Sequence, residues 1–170
     1  MIEYIKKGII PVGAYCAPQC PSGNLKNRIT LEQYKTAKDC GVNIMYGHSE
    51  VFGTKTEKYV FDALEICERV GMTYYVRDAI ASEYIEIVTG DKTKAFVDLS
   101  EDEKKDLNER FKRNIGKYSR YKSFGGIIFA DEPGYESFDG ISEAKKVFKS
   151  VCPDKTFYVN MYPYYVTPEQ

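Results

Sequence analysis

The chain has 170 residues, 43 % hydrophobic and 29 % charged, which excludes a disordered or collagen-like protein. Its 24 Lys and Arg balance 25 Asp and Glu for a net charge of −1, which argues against a nucleic-acid binder working by phosphate neutralisation and against a polybasic membrane-surface protein. Fifteen Tyr and nine Phe stand beside no Trp.

Residues 10–17 read as a first strand, stopped by Pro18. Thr30-Leu31-Glu32-Gln33 is a capping box. The helix behind it carries Leu31, Tyr34 and Ala37 on one face and ends at Gly41. Residues 42–46 read as strand two. Residues 58–70 form an amphipathic helix with Tyr59, Ala63, Ile66, Cys67 and Val70 at helical spacing, closed by Gly71. Residues 72–76 read as strand three. Residues 79–99 break the rhythm and read as a loop insertion, with a short helix near 82–88 and a turn signal at Gly90-Asp91. A second capping box, Ser100 to Glu103, opens a helix reaching about Tyr121, with Leu107, Phe111, Ile115 and Tyr118 as its stripe. Strand four is 126–130. A helix over 138–150 turns Ile141, Ala144, Val147 and Phe148 inward, with Pro153 as its stop. Strand five is 156–161.

This alternation predicts an α/β fold of parallel strands with right-handed crossovers. Residues 1–170 form one domain of about five βα units, either a partial (β/α)8 barrel or an open doubly wound sheet. A complete barrel needs ~250 residues, so the barrel reading treats the chain as the first five units. The strand tips favour the barrel. All five end in polar or aromatic groups: Tyr15; His48 and Glu50; Arg77 and Asp78; Asp131 and Glu132; Asn160 and Tyr162. Five tips supplying such groups to one rim suit a barrel mouth, whereas an open sheet gathers them at one switch point.

The sharpest motif is Asp131-Glu132-Pro133 after an apolar strand. Adjacent residues on extended backbone face opposite ways, so one carboxylate faces the mouth while the other meets the wall. A carboxyl group in an apolar, aromatic-lined cleft is raised in pKa and serves as a general acid. The structural alternatives are that Asp131 caps the next helix and that Glu132 pairs with Arg77.

At this motif the chain resembles the retaining (β/α)8-barrel glycoside hydrolases. Strand four in that superfamily ends in Asn-Glu, often followed by Pro, and that Glu is the acid/base. The resemblance implies a hydrolase acting on O-glycosidic bonds, with Glu132 as acid/base and a carbohydrate as partner. The strand tips then supply the candidate substrate-binding set: Tyr15, His48, Glu50, Arg77, Asp78, Asp131, Asn160 and Tyr162. The chain departs at two points. Asp131 stands where the family has Asn, placing a like charge beside Glu132 and removing a donor. The family's nucleophile comes from strand seven, beyond the five strands read here. A non-catalytic carbohydrate-binding or scaffold module on the same fold is the alternative.

Other chemistry is weakly signalled. Cys16, Cys20 and His48 make a poor metal set, and neither a metal nor a cofactor is expected. No dinucleotide fingerprint, Walker loop or nucleophile elbow occurs. No apolar run approaches the ~18 residues of a membrane helix, so no membrane partner is expected. Without a basic-then-apolar leader, and with an odd cysteine count, the chain reads as cytoplasmic; a leader upstream would make it secreted. Three missing strands would bare an apolar concavity and two edges, so self-association or a complementing segment is expected there.

Overall fold

A computed structural model describes residue 4 and residues 6–85, 87–89, 92–94 and 96–161. Five parallel strands form one curled sheet, each paired with the next in chain order. They are β1 (Gly13–Ala14), β2 (Ile44–Tyr46), β3 (Thr73–Arg77), β6 (Phe124–Asp131) and β7 (Thr156–Asn160). The crossover helices are α1 (Leu31–Asp39), α2 (Glu57–Val70), α4 (Glu101–Tyr118) and α5 (Phe138–Val151). The fold is the expected half-barrel of about five βα units.

Local chemistry explains most boundaries. The Thr30 hydroxyl accepts the Gln33 N–H and starts α1. Ser100 and Glu103 satisfy each other's backbone N–H groups, a complete capping box at the head of α4. Gly71, at φ 68°, closes α2 in the left-handed conformation glycine tolerates. All four residues expected in the α4 stripe are buried. In α2 the buried stripe is Val60, Ala63, Leu64 and Cys67, with Tyr59, Ile66 and Val70 only part-buried beside it.

Two stretches differ from expectation. Strand one shrinks from 10–17 to Gly13–Ala14. Pro11 has no N–H to give a ladder, and the side chain of buried Asn43 takes over: its Oδ1 accepts the Val12 N–H at 3.0 Å and its Nδ2 donates to the Ile10 carbonyl at 2.9 Å. In the insertion at 79–99 the expected short helix is α3 (Ala81–Ile85), and the described residues add what was not expected, an antiparallel pair β4 (Ile87–Thr89) and β5 (Lys92–Lys94) and a 3-10 turn at Phe96–Asp98. Gly90 and Asp91 lie outside the described residues. Gly140 lets α5 press against α3, since a Cβ there would run into the Tyr84 carbonyl.

Strand alternation gives the sheet two packed faces. Met45, Tyr74, Val76, Phe124, Ile127 and Phe129 pack beneath the helices, where Phe129 stacks on Phe157 with centroids 4.7 Å apart. Ile44, Tyr46, Tyr75 and Ile128 face the concave side with Tyr4 and Tyr158. That side is not bared: Ile44, Tyr75 and Ile128 are at most 4 % exposed. Tyrosine rings fill it, Tyr46 lying 4.8 Å from Tyr75 and 5.4 Å from Tyr158. At its lower end the Tyr4 hydroxyl donates to the Asn43 carbonyl and bonds Thr73 Oγ1 at 2.8 Å. Among the described residues, no helix is long and apolar enough to cross a membrane.

Candidate functional site

The strand tips meet at the upper, C-terminal end of the concave face. Two residues above the concave Tyr75 comes Arg77, and two above Tyr158 comes Asn160, so period two carries both to the rim. Asp131 sits opposite Asn160 in the β6–β7 register. Its Oδ1 accepts the Asn160 amide at 2.7 Å and the Tyr15 hydroxyl at 2.6 Å. Three strands thus contribute to one carboxylate. The Tyr15 ring continues into the concave stack, 6.1 Å from Tyr46.

The electrostatics follow from these bonds. Tyr15 and Asn160 stabilise the Asp131 anion, with smaller help from nearby Arg77 and His48, and hold its carboxyl below the ordinary Asp value. Partial burial and the bond to Asp131 push the Tyr15 phenol up to about 12. The pair is therefore a neutral donor on a fixed anion. Arg77 donates to the His48 carbonyl at 3.5 Å. It makes no ion pair with Glu132, and Asp131 is spent on Tyr15 and Asn160 rather than on capping.

Glu132 follows at the lip. Its N–H donates to the Asn160 carbonyl at 2.7 Å, continuing the β6–β7 ladder for one more rung. Its side chain is exposed and takes no hydrogen bond or ion pair among the described residues. Its φ is 49°, the one positive value at a non-glycine position among the described residues. The left-handed turn suspends strand alternation at this residue.

Glu50 and Asp78 are not brought to this cluster. Glu50 is fully buried on the helix side, where Tyr74 Oη donates to its Oε1 and Ser49 Oγ to its Oε2. Burial raises its pKa against those bonds. Asp78 is also buried and accepts from the Ile80 N–H at 3.1 Å, Tyr118 Oη at 3.1 Å and Asn114 Nδ2 at 3.2 Å. Burial pushes it up to about 6. Asp78 thus ties the loop after β3 to α4, and Glu50 ties the loop after β2 to Tyr74 of β3. Tyr162 lies outside the described residues.

Cys20 is buried with its thiol on the Ser49 carbonyl, while Cys16 is exposed. Among the described residues no group of three or more His, Cys, Asp and Glu side chains is placed to hold a metal.

Sequence reasoning missed two aromatic residues. Tyr135 and Phe138, just past Glu132, are 72 % and 46 % exposed. Phe138 stands three residues before Ile141 and looks like the start of the buried stripe, so periodicity hides it. Exposed aromatic rings after a strand-tip acid would have been the signal. No protein-family model matches this chain, and no curated protein is significantly similar to it in sequence.

Proposed function

We propose that the rim binds a carbohydrate and that Glu132 serves there as the general acid of a glycoside hydrolase-like barrel. The observation that carries this reading is the left-handed backbone of Glu132, directly after a doubly hydrogen-bonded Asp131. Such a conformation costs a non-glycine residue ~1–3 kcal/mol and collects at functional sites. In this reading Glu132 gives a proton to the glycosidic oxygen, which keeps the electron pair of the breaking C–O bond and leaves as an alcohol, while a water adds its oxygen to the anomeric carbon and returns a proton to Glu132. The Asp131 anion offsets positive charge growing at the sugar's anomeric carbon. Arg77, His48 and Asn160 hydrogen-bond hydroxyl groups, and Tyr135 and Phe138 offer ring faces to the sugar. Glu50 and Asp78 act as supports of the wall.

A second reading is a carbohydrate-binding module without turnover. It is favoured by the absence of any carboxylate beyond Asp131 and its neighbour Glu132 from the described rim cluster. The outer edges of β1 and β7, unpaired among the described residues, support self-association as a further property of the chain.

The test measures aryl glycoside hydrolysis and sugar binding by the full chain and by Glu132→Gln. Loss of a general acid lowers turnover by about 100- to 10,000-fold while binding persists. Sugar binding with no turnover in either protein assigns the module instead. Neither binding nor turnover removes the carbohydrate reading altogether.

A further inference from the structure

A second concavity lies at the other end of the sheet, below the starts of β3, β6 and β7. It has a volume of about 790 Å³ and is lined by seven lysines. Asp154 is the single acidic residue among its described lining residues, 3.9 Å from Lys155. In a chain with 24 cationic and 25 acidic side chains, this is a strong local separation of charge.

Helix ends explain part of it. The crossover helices run against the strands, so their C-termini, which favour cations, point to this end. Lys38, in the last turn of α1, donates to the Gly71 carbonyl at 3.1 Å. Lys149, in the last turn of α5, donates to the Pro153 and Lys155 carbonyls. Lys145 is not explained in this way. It lies a full turn earlier on α5, four residues from Lys149, where like charges repel. Lys122 is not explained either: in the connection into β6 its backbone N–H meets Glu68, and its ammonium takes no carboxylate among the described residues. Lys6 approaches from the N-terminal segment.

We propose that this groove binds a compact polyanion carrying several phosphate groups. Its size falls within the range of small-ligand sites. No arginine is among its described lining residues, so planar fork recognition of carboxylates is not what it is built for; lysines act on phosphate as point charges. Of the aromatic residues in its lining, Phe124 is 1 % exposed, Phe157 is part-buried with its ring stacked on Phe129, and Tyr4 is part-buried and held through its hydroxyl by Asn43 and Thr73, so none offers a free ring face for nucleobase stacking. A ligand that supplies several phosphates in a small volume satisfies the lysines together. The site is at the opposite end from the rim and independent of the carbohydrate reading.

The experiment is calorimetric titration of the full chain with inorganic tripolyphosphate at low and high salt. Binding to a single site is expected, weakening with salt. Lys145→Glu and Lys122→Glu should each weaken it by at least about tenfold with unchanged thermal unfolding, through Coulomb repulsion. Lys58→Glu, on α2 and away from the groove, should leave it unaltered. No binding, or an equal loss with Lys58→Glu, overturns the proposal. A single-stranded oligonucleotide bound more tightly than tripolyphosphate also overturns it and marks a nucleic-acid surface instead.

Discussion

Asp131 stands where the hydrolases its motif resembles carry asparagine, and its negative charge has a physical role. Both of its hydrogen bonds fall on Oδ1, from Tyr15 and Asn160. An asparagine carbonyl could accept the same two, so the aspartate adds charge rather than a bond. That charge lies near Arg77, whose guanidinium has no carboxylate in ion-pair contact among the described residues. Tyr15→Phe removes the donor that does most to hold Asp131 ionised, so its pKa should climb toward the ordinary Asp value. Carboxyl carbon NMR of Asp131 across an acid titration reads this directly; an unmoved midpoint would show that Asn160 alone suffices. Asp131→Asn should keep the fold and bring the Tyr15 phenol down from about 12, because the negative charge that opposes its ionisation vanishes while burial remains.

At the scale of elements, edge strand β1 carries the weakest design. Two residues form its ladder, and the chain before it hangs from Asn43. Ile9, Ile10 and Val12, all in that preceding segment, are 45 %, 78 % and 44 % exposed. An exposed apolar edge invites pairing with another copy, and a lysine placed on it discourages this. The chain is therefore expected to elute from gel filtration as an associated species, and Ile10→Lys to shift it toward monomer with an unaltered circular dichroism spectrum. A parent chain that elutes as monomer at all concentrations sinks this prediction. The same elements show what was legible in the sequence. The Ser100–Glu103 capping box, the Thr30 cap, Gly71 and the α4 stripe were readable because each is set by residues within a few positions; at Thr30 the box is only half made, since its N–H goes to the Arg28 carbonyl rather than to Gln33. Strand one was not, since Asn43 replaces its ladder from thirty residues away. The β4–β5 pair hid inside a stretch without apolar periodicity. At the site, the sequence located the tips but could not rank them. Asp78 and Arg77 are neighbours, yet one is buried against α4 while the other reaches the rim, and only tertiary packing separates them.

For the whole molecule, the two buried carboxyls set the response to pH. Asp78 titrates at about 6 when folded, against 3.8 in its ordinary state. The folded state therefore holds that proton more tightly, and stability rises as pH falls from about 6 toward about 4. Two units correspond to ~3 kcal/mol. Glu50 acts in the same direction through its burial. Asp131 works oppositely, its contribution being lost only as pH drops below the ordinary carboxylate range. Urea unfolding should accordingly give greater stability at about pH 5 than at about pH 7, and Asp78→Asn should flatten the difference. A stability that climbs steadily between those two values would contradict the burial of Asp78 as a net cost. The ring-filled concavity has an optical consequence as well. Because the chain contains no Trp, its ultraviolet emission comes from tyrosine alone. Tyr15, Tyr46, Tyr75 and Tyr158 lie ring against ring from the rim inward. Four of the chain's fifteen emitters thus sit together at the mouth, so a ligand taken up there, as proposed, would change the tyrosine signal without a label.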